Sequence, residues 1–490
     1  MISSRCTRAR SGVVLLVCCL VAVALPGSAQ SWTEHWPDPP PDSVIEFPDS
    51  LDAKLERLTA EQRAFIRSRN NVRQFASPEK LIETLERRSP DEVVAYVEAM
   101  VWVTEQQRFE AGRDQASIAL DTDSPEFKSH LVRRPASFDP PREPGPIDLS
   151  RYGMGSRFTG SIPTYANAPV AITPEDLIAG KVDVAFVGAP LNMGGGWRDG
   201  ADGPKSLRPF GRRSAMGGND QYTQVNPGRE LNIVDYGDIA IDNFSTERSV
   251  QHVREVVREI AETGAIPFII GGDHSLEYPN VAALVDVYGK GNITVIHFDA
   301  HSDISRDRAH LIDHGQPIYR LISEDLITGA DYVQVGLRAG GPNETQFTWA
   351  RNQGFRYHTM AEVERYGWDA VMDRIVGEIP PGRKLHISFD VDVLDPSYIL
   401  GTGTPVSGGM TPREAIPIVR RLCAKSDVVG FDIVEIQPAL DPGYATTLHS
   451  SAIVQACLVG IAMHRLGLDP THLSPISIDH AQDDYHGEGG

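Results

Sequence analysis

Cysteine is scarce in this chain. There are five among 490 residues, and three of them, Cys6, Cys18 and Cys19, stand in the first 29. The remaining two, Cys423 and Cys457, are too few for a disulfide-stapled scaffold. Both fall in stretches of helical spacing, 416–425 and 451–466, where they read as buried free thiols, with one disulfide between them as the alternative. Basic residues are also short, 46 Lys and Arg against 66 Asp and Glu, for a formal net charge of −20. That balance argues against a nucleic acid or an anionic membrane as partner and favours cationic small molecules or metal ions. The apolar run 13–25 falls short of the ~20 residues a bilayer span needs. At 41% hydrophobic and 23% charged residues, with 44 Gly and 35 Pro, the composition is that of a globular protein and excludes a disordered or collagenous one.

The run 13–25 follows Arg5, Arg8 and Arg10 and ends at Pro26-Gly27-Ser28-Ala29, the layout of a secretory signal peptide cleaved after Ala29, with an uncleaved anchor as the alternative. Its loss removes three Arg and no acid, taking the net charge from −20 to −23, and implies an exported protein with no membrane contact after cleavage. Residues 30–148 read as a mainly helical extension with a Pro-rich connector. Thr59 with Gln62 makes a capping box, and Ser77-Pro78-Glu79 and Ser89-Pro90-Asp91-Glu92 each place a cap before a first-turn Pro. Pro135, Pro140, Pro141, Pro144 and Pro146 exclude regular structure from the connector. From about 149 to 475 the texture is α/β: β-branched runs at 182–187, 231–235, 266–270, 294–299, 332–336, 385–390 and 428–433 alternate with amphipathic helices, as in a parallel sheet. One such helix, 249–263, carries a stripe of Val250, Val253, Val257 and Ile260. Residues 476–490 form a polar tail.

Acids and histidines gather where three of these strands end, the place where ligands bind in open α/β sheets. The clusters are Gly271-Gly272-Asp273-His274-Ser275, His297-Phe298-Asp299-Ala300-His301-Ser302-Asp303 and Ser388-Phe389-Asp390-Val391-Asp392-Val393-Leu394-Asp395. Strand alternation would face Asp299, His301 and Asp303 together, and Asp390 with Asp392. Carboxylates so crowded repel one another unless cations neutralise them, and oxygen with imidazole suits Mn²⁺ or a similar ion. Two such ions about 3.5–4 Å apart acidify a shared water, which points to hydrolysis. Each cluster alone reads as a capped turn; the three together do not.

These motifs, with Asp235-Tyr236-Gly237-Asp238, Gly336-Leu337-Arg338 and Gly401-Thr402-Gly403-Thr404-Pro405 before Gly408-Gly409, resemble the ureohydrolase family of arginases, agmatinases, formiminoglutamases and guanidino-acid hydrolases over about Phe158 to Leu466. The resemblance implies a three-layer α/β/α fold with a mainly parallel sheet, two Mn²⁺ per subunit (Ni²⁺ or Co²⁺ with the same ligands), a small cationic guanidino substrate cleaved to urea and an amine, and a homo-trimer or homo-hexamer. Carried over by position, one metal takes His274, Asp299, Asp303 and Asp390, and the other His301, Asp299, Asp390 and Asp392. Asp303 would also orient the attacking water, His314 would protonate the leaving amine, and Glu435 would grip the guanidinium through paired N–H donors. His310, His386 and His449 match no family position and read as structural or exposed.

For the substrate, Phe158-Thr159-Gly160-Ser161-Ile162-Pro163-Thr164-Tyr165 and Asp313 are agmatinase-like, and Thr164 is a candidate substrate contact. The loop from Asp303 to His314 lacks the Asn and Ser pattern with which arginases hold an α-amino acid. The loop Trp197-Arg198-Asp199-Gly200-Ala201-Asp202-Gly203-Pro204 is one residue short of the usual agmatinase form, and Tyr398-Ile399-Leu400 lacks a Pro. Arg306 and Arg308 could meet a carboxylate, and Asp307 or Asp313 an ammonium. Agmatine ranks first, then a guanidino acid such as guanidinobutyrate or guanidinopropionate, or guanidine, with arginine and formiminoglutamate behind. Outside that class, the chain reads as an exported protein that only binds a guanidino metabolite, or as a metal-dependent amide hydrolase on a similar fold.

Overall fold

The computed structural model describes residues 44–106, 142–149, 162–195, 200–211, 218–243, 245–305, 312–340 and 344–479. The leader-like segment 1–29, Phe158 to Ser161, the loop Trp197–Asp199, Arg306 to His310 and the end of the polar tail lie outside the described residues. The chain divides into two compact units between Glu105 and Gln106.

In the first unit, helices Ala60–Arg67, Pro78–Glu86 and Pro90–Gln106 begin at the expected caps. Thr59 and Gln62 form the capping box, with N–H to oxygen distances of 2.9 and 3.1 Å, and Ser77 and Ser89 accept from Lys80 and Glu92. The short helices Asp52–Leu55 and Arg69–Val72 add to these. Leu81, Leu85, Val93 and Val97, at helical spacing, are fully buried with Leu51, Ile66, Val72 and Met100.

The second unit is built on one eight-stranded, all-parallel sheet. Its strands are β1 (Val184–Ala189), β2 (Ile233–Asp238), β3 (Ile266–Gly271), β4 (Ile293–Phe298), β5 (Tyr332–Leu337), β6 (Arg356–Thr359), β7 (Lys384–Asp390) and β8 (Asp427–Val434). They lie in the order β2-β1-β3-β8-β7-β4-β5-β6. Seven of them fall on the predicted runs. The eighth, β6, reads Arg-Tyr-His-Thr and went unseen, because a short edge strand needs no continuous apolar run.

Side chains alternate between two cores, one on each face. On β3, Phe268 and Ile270 enter one core and Ile269 the other; on β4, Ile296 and Phe298 oppose Ile293 and Val295. Helices Pro412–Lys425 and Ala445–Arg465 cover the first face, and Thr246–Glu262 and Glu277–Tyr288 the second, which makes three layers. Val250, Val253, Val257 and Ile260 are all buried, as their stripe predicts. Ala445–Arg465 is apolar and long enough to cross a membrane, but its length is spent in the core.

Two features depart from expectation. Cys423 and Cys457 are not free thiols: they form a disulfide across a 5.4 Å Cα separation where Pro412–Lys425 crosses Ala445–Arg465. Each helix turns its cysteine toward the other, which sequence spacing does not reveal. The end of the Pro-rich connector is also pinned. Arg142 and the Gly145 N–H both reach the buried Asp176, at 2.6 and 2.7 Å, and Ile147 pairs with Val170.

The chain leaves β3 for the sheet's other half, builds β4, β5 and β6 outward, and returns to insert β7 and β8 between β4 and β3. The order reverses there, so the loops after β3, β8, β7, β4 and β5 open side by side at a topological switch point.

Candidate metal centre and active site

Each of those loops brings one part of the site. After β3, Gly272 passes so close to Leu191 that a Cβ would stand 1.5 Å from the Leu191 carbonyl oxygen, so only glycine fits. Asp273 then caps the turn His274–Leu276 by accepting from the Ser275 N–H at 3.1 Å, and also accepts from the Gly195 N–H at 2.9 Å. His274 is thereby fixed in the interior, 1% exposed.

His274 Nδ1 lies 2.9 Å from Asp299 Oδ2, 3.1 Å from Asp303 Oδ2 and 3.2 Å from Asp390 Oδ2. His301 Nδ1 lies 2.9 Å from Asp392 Oδ2 and 3.3 Å from Asp299 Oδ1. Asp299 thus offers one oxygen to each group. Asp390 keeps Oδ2 3.2 Å from His274 Nδ1 and turns its other oxygen to the Asp392 N–H at 2.8 Å; the ligand atoms that converge most tightly are those of His274, His297, Asp299 and Asp303 in one group and of Asp299, His301 and Asp392 in the other.

Strand alternation is not what brings these residues together. β4 ends at Phe298, and Asp303 sits in the left-handed region at φ +49°, a conformation Asp tolerates better than most residues. Asp392 lies in the turn Val391–Val393.

The donors fit a pair of divalent cations. All are oxygen or imidazole nitrogen, with no thiolate. His274 Nδ1 and Asp299 Oδ2, both buried, make no hydrogen bond of good geometry although oxygens crowd around the nitrogen. A single N–H cannot serve three carboxylates; an ion among them can. Burial, then the charges of Asp392 and Asp299, hold Asp390 well above the usual carboxylate range. Burial and Asp299 push Asp392 up to about 6 and raise Asp303. These are anions short of counter-charge.

On the other wall, Glu435 follows β8 at φ +61° and accepts through Oε1 from the His274 N–H and from His314 Nδ1, both at 2.9 Å. Glu435 is 1% exposed and stands behind His314, which lines the cavity. Burial works against charge on His314, but Glu435 outweighs it and lifts the imidazole to about 10. The cavity, about 230 Å³, takes His274, Asp299, His301, Asp303, His314 and Asp390 into its walls, with Ser302, Ser305 and Thr404 among the other lining groups.

Thr164 is not in that wall. Its hydroxyl donates to the Ala168 carbonyl at 2.8 Å beside Tyr165, whose N–H is held by Asp235. A Thr before a turn satisfies its own backbone first.

Sequence reading missed a buried polar layer beneath the centre. His297 stands between Glu277, 3.1 Å from its Nδ1, and Asp299, 3.3 Å from its Nε2. His274 Nε2 meets Ser388 Oγ at 3.0 Å, and Ser388 donates to Asp432 at 2.7 Å. Asp432 also holds His386 at 2.9 Å and accepts from Asn280 at 3.0 Å. His386 is therefore structural, as expected, and His449 lies beside Tyr398. The alternation His386, Ser388, Asp390 along β7 was the signal that could have found this layer.

The profile of the arginase family matches residues 182–460, more than half of the chain and all three motif clusters. The chain belongs to the arginase family. As an arginase-family protein it is a metal-dependent hydrolase of the ureohydrolase class, with a pattern like that of agmatinase-type members. It is 34% identical over 294 residues to the guanidinobutyrase of Pseudomonas aeruginosa, covering 59% of this chain and 89% of that one. It is 35% identical over 281 residues to the mitochondrial agmatinase of Gallus gallus, covering 56% and 80%. Among solved structures, a hypothetical agmatinase from Burkholderia thailandensis superposes with a TM-score of 0.56 at 30% identity, over 64% of this chain and 93% of that one.

Proposed function

We propose that this enzyme hydrolyses a linear guanidino compound to urea and an amine, with agmatine as first substrate and putrescine as product. The observation that carries this reading is the meeting of two cation-seeking groups that share Asp299 with the His314–Glu435 pair on the facing wall. His274, Asp299, Asp303 and Asp390 would hold one divalent ion, and His301, Asp299 and Asp392 the other. Bound there, Mn²⁺, Ni²⁺ or Co²⁺ supplies Lewis acidity for attack of water on a weakly electrophilic carbon.

The chain's own groups do the rest. Asp303 accepts a hydrogen bond from the attacking water and orients it. Glu435 fixes His314 with Nδ1 as donor, leaving Nε2 to pass a proton to the departing amine as the C–N bond breaks. Glu435 Oε1 is taken by the His274 N–H and His314, and Oε2 accepts from Gln437 Nε2 at 3.5 Å, a long contact that a guanidinium N–H would replace.

A second reading, guanidinobutyrate or another guanidino acid, is favoured by the relatives named guanidinobutyrase and guanidino acid hydrolase, and by Arg306 and Arg308 in the loop between Asp303 and His314. The kcat/KM ratio of agmatine to 4-guanidinobutyrate separates the two. A ratio above one supports agmatine. A ratio below one that rises in Arg306→Ala or Arg308→Ala supports the acid.

Export and a homo-oligomeric state complete the proposal. The leader-like segment and the Cys423–Cys457 disulfide, a bond that persists in oxidising compartments, support export.

A further inference from the structure

Gly336-Leu337-Arg338, the Gly401–Pro405 loop and Gly408-Gly409 have no part in the chemistry above, yet they meet at one side chain. The Arg338 guanidinium carries no carboxylate partner within 4.0 Å among the described residues; its hydrogen bonds go to backbone carbonyls. Nη2 donates to Asp392 O and Val406 O, both at 2.7 Å, and to Leu394 O at 3.2 Å. Nη1 donates to Val393 O at 3.1 Å and Gly336 O at 3.2 Å, and Nε to Val406 O at 3.2 Å.

The backbone of the same residue reaches the other half of the second metal group. The N–H groups of Arg338 and Ala339 donate to Ala300 O at 3.0 and 2.9 Å, between Asp299 and His301. Ala300 in turn donates its N–H to Asp392 Oδ1 at 3.0 Å. The loop that Arg338 holds through Val406 carries Thr404, whose hydroxyl donates to Asp392 Oδ2 at 3.2 Å. Gly409 leaves room for the guanidinium: a Cβ there would stand 2.5 Å from Arg338 Nη2 and 2.6 Å from the Asp395 nitrogen.

We propose that Arg338 is the positioning residue of the second metal group, joining the His301 segment, the Asp392 turn and the Thr404 loop so that Asp392 and His301 face one ion. The inference rests on the two-ion reading given above. A planar fork with five donors can hold five carbonyls from three segments; an ammonium on a flexible stem cannot. Among the described residues the fork makes no hydrogen bond to His274, Asp299, Asp303 or Asp390, so the ion of the His274 group is expected to stay.

The test is Mn²⁺ binding by the full chain, measured by equilibrium dialysis with metal analysis and by electron paramagnetic resonance. The proteins are wild type, Arg338→Lys and Gly409→Ala, with circular dichroism to check the fold. Wild type is expected to bind two ions with a spin-coupled signal. Each folded variant is expected to keep one ion at near wild-type affinity, lose about tenfold or more in affinity for the other, and show a mononuclear signal. Two ions at wild-type affinity in a folded variant, or equal weakening of both ions, would overturn the proposal. Gly409→Ala serves if Arg338→Lys fails to fold. Fewer than two ions in wild type would overturn the two-ion reading itself.

Discussion

His314 and Glu435 are joined by a 2.9 Å contact between Nδ1 and Oε1, with the imidazole at the cavity wall and the carboxylate buried behind it. The same oxygen accepts from the His274 N–H, so the loops after β8 and β3 and the segment bearing His314 are tied at one atom. A buried carboxylate that holds a histidine's tautomer and charge makes that histidine a proton donor well above its ordinary range.

The pair gives stability a pH dependence of known sign. Glu435 lifts His314 to about 10, above the ~6.5 of an unfolded histidine. Its contribution is therefore complete below about 6.5 and is lost as pH rises through 10. Melting curves of the metal-free protein from pH 6 to 10.5 should show a falling component in wild type that is missing in His314→Asn. Parallel curves would show that the contact carries no linkage.

The same substitution should cost catalysis about 10²–10⁴-fold in kcat, the range of a general acid, while bound Mn²⁺ stays at the wild-type amount. Steady-state urea release and metal analysis on one preparation measure both. An equal loss of metal would move His314 from proton transfer to upkeep of the metal centre.

Asp303 is placed in both roles, ligand and orienter of water. Asn accepts a left-handed backbone as readily as Asp, so Asp303→Asn should keep the φ of +49° and the fold. It should release the ion of the His274 group and abolish turnover. Retention of two ions with turnover within about tenfold of wild type would remove Asp303 from the site.

The Cys423–Cys457 bond closes a loop of sequence separation 34 between two core helices. Loop-entropy reasoning gives it about 3–4 kcal/mol. Changing both residues to Ala should lower Tm in step with that figure and leave kcat/KM for the best substrate unchanged, since neither thiol nears the cavity. An unchanged Tm would mean that the bond constrains little in the unfolded chain.

Much of this architecture was legible beforehand, and for a physical reason. Buried parallel strands must be apolar throughout, so seven of eight announced themselves, and acids directly after them stand out. What stayed hidden was polar and buried at once. His297 and Ser388 stand in the motif clusters, and Glu277 and Asp432 outside them, with no role to be read until each is seen to have a partner. The disulfide stayed hidden because two helices far apart in sequence choose which faces meet. Thr164 is a motif position whose hydroxyl serves its own turn.

The central claim is metal-dependent release of urea. The purified chain should be loaded in turn with Mn²⁺ and Ni²⁺ and offered agmatine, 4-guanidinobutyrate, 3-guanidinopropionate, arginine and guanidine, with Asp303→Asn and the metal-free protein as controls. Urea from agmatine or a guanidino acid, absent in both controls, is the predicted result. No urea from any of the five with two ions bound per chain would contradict the account.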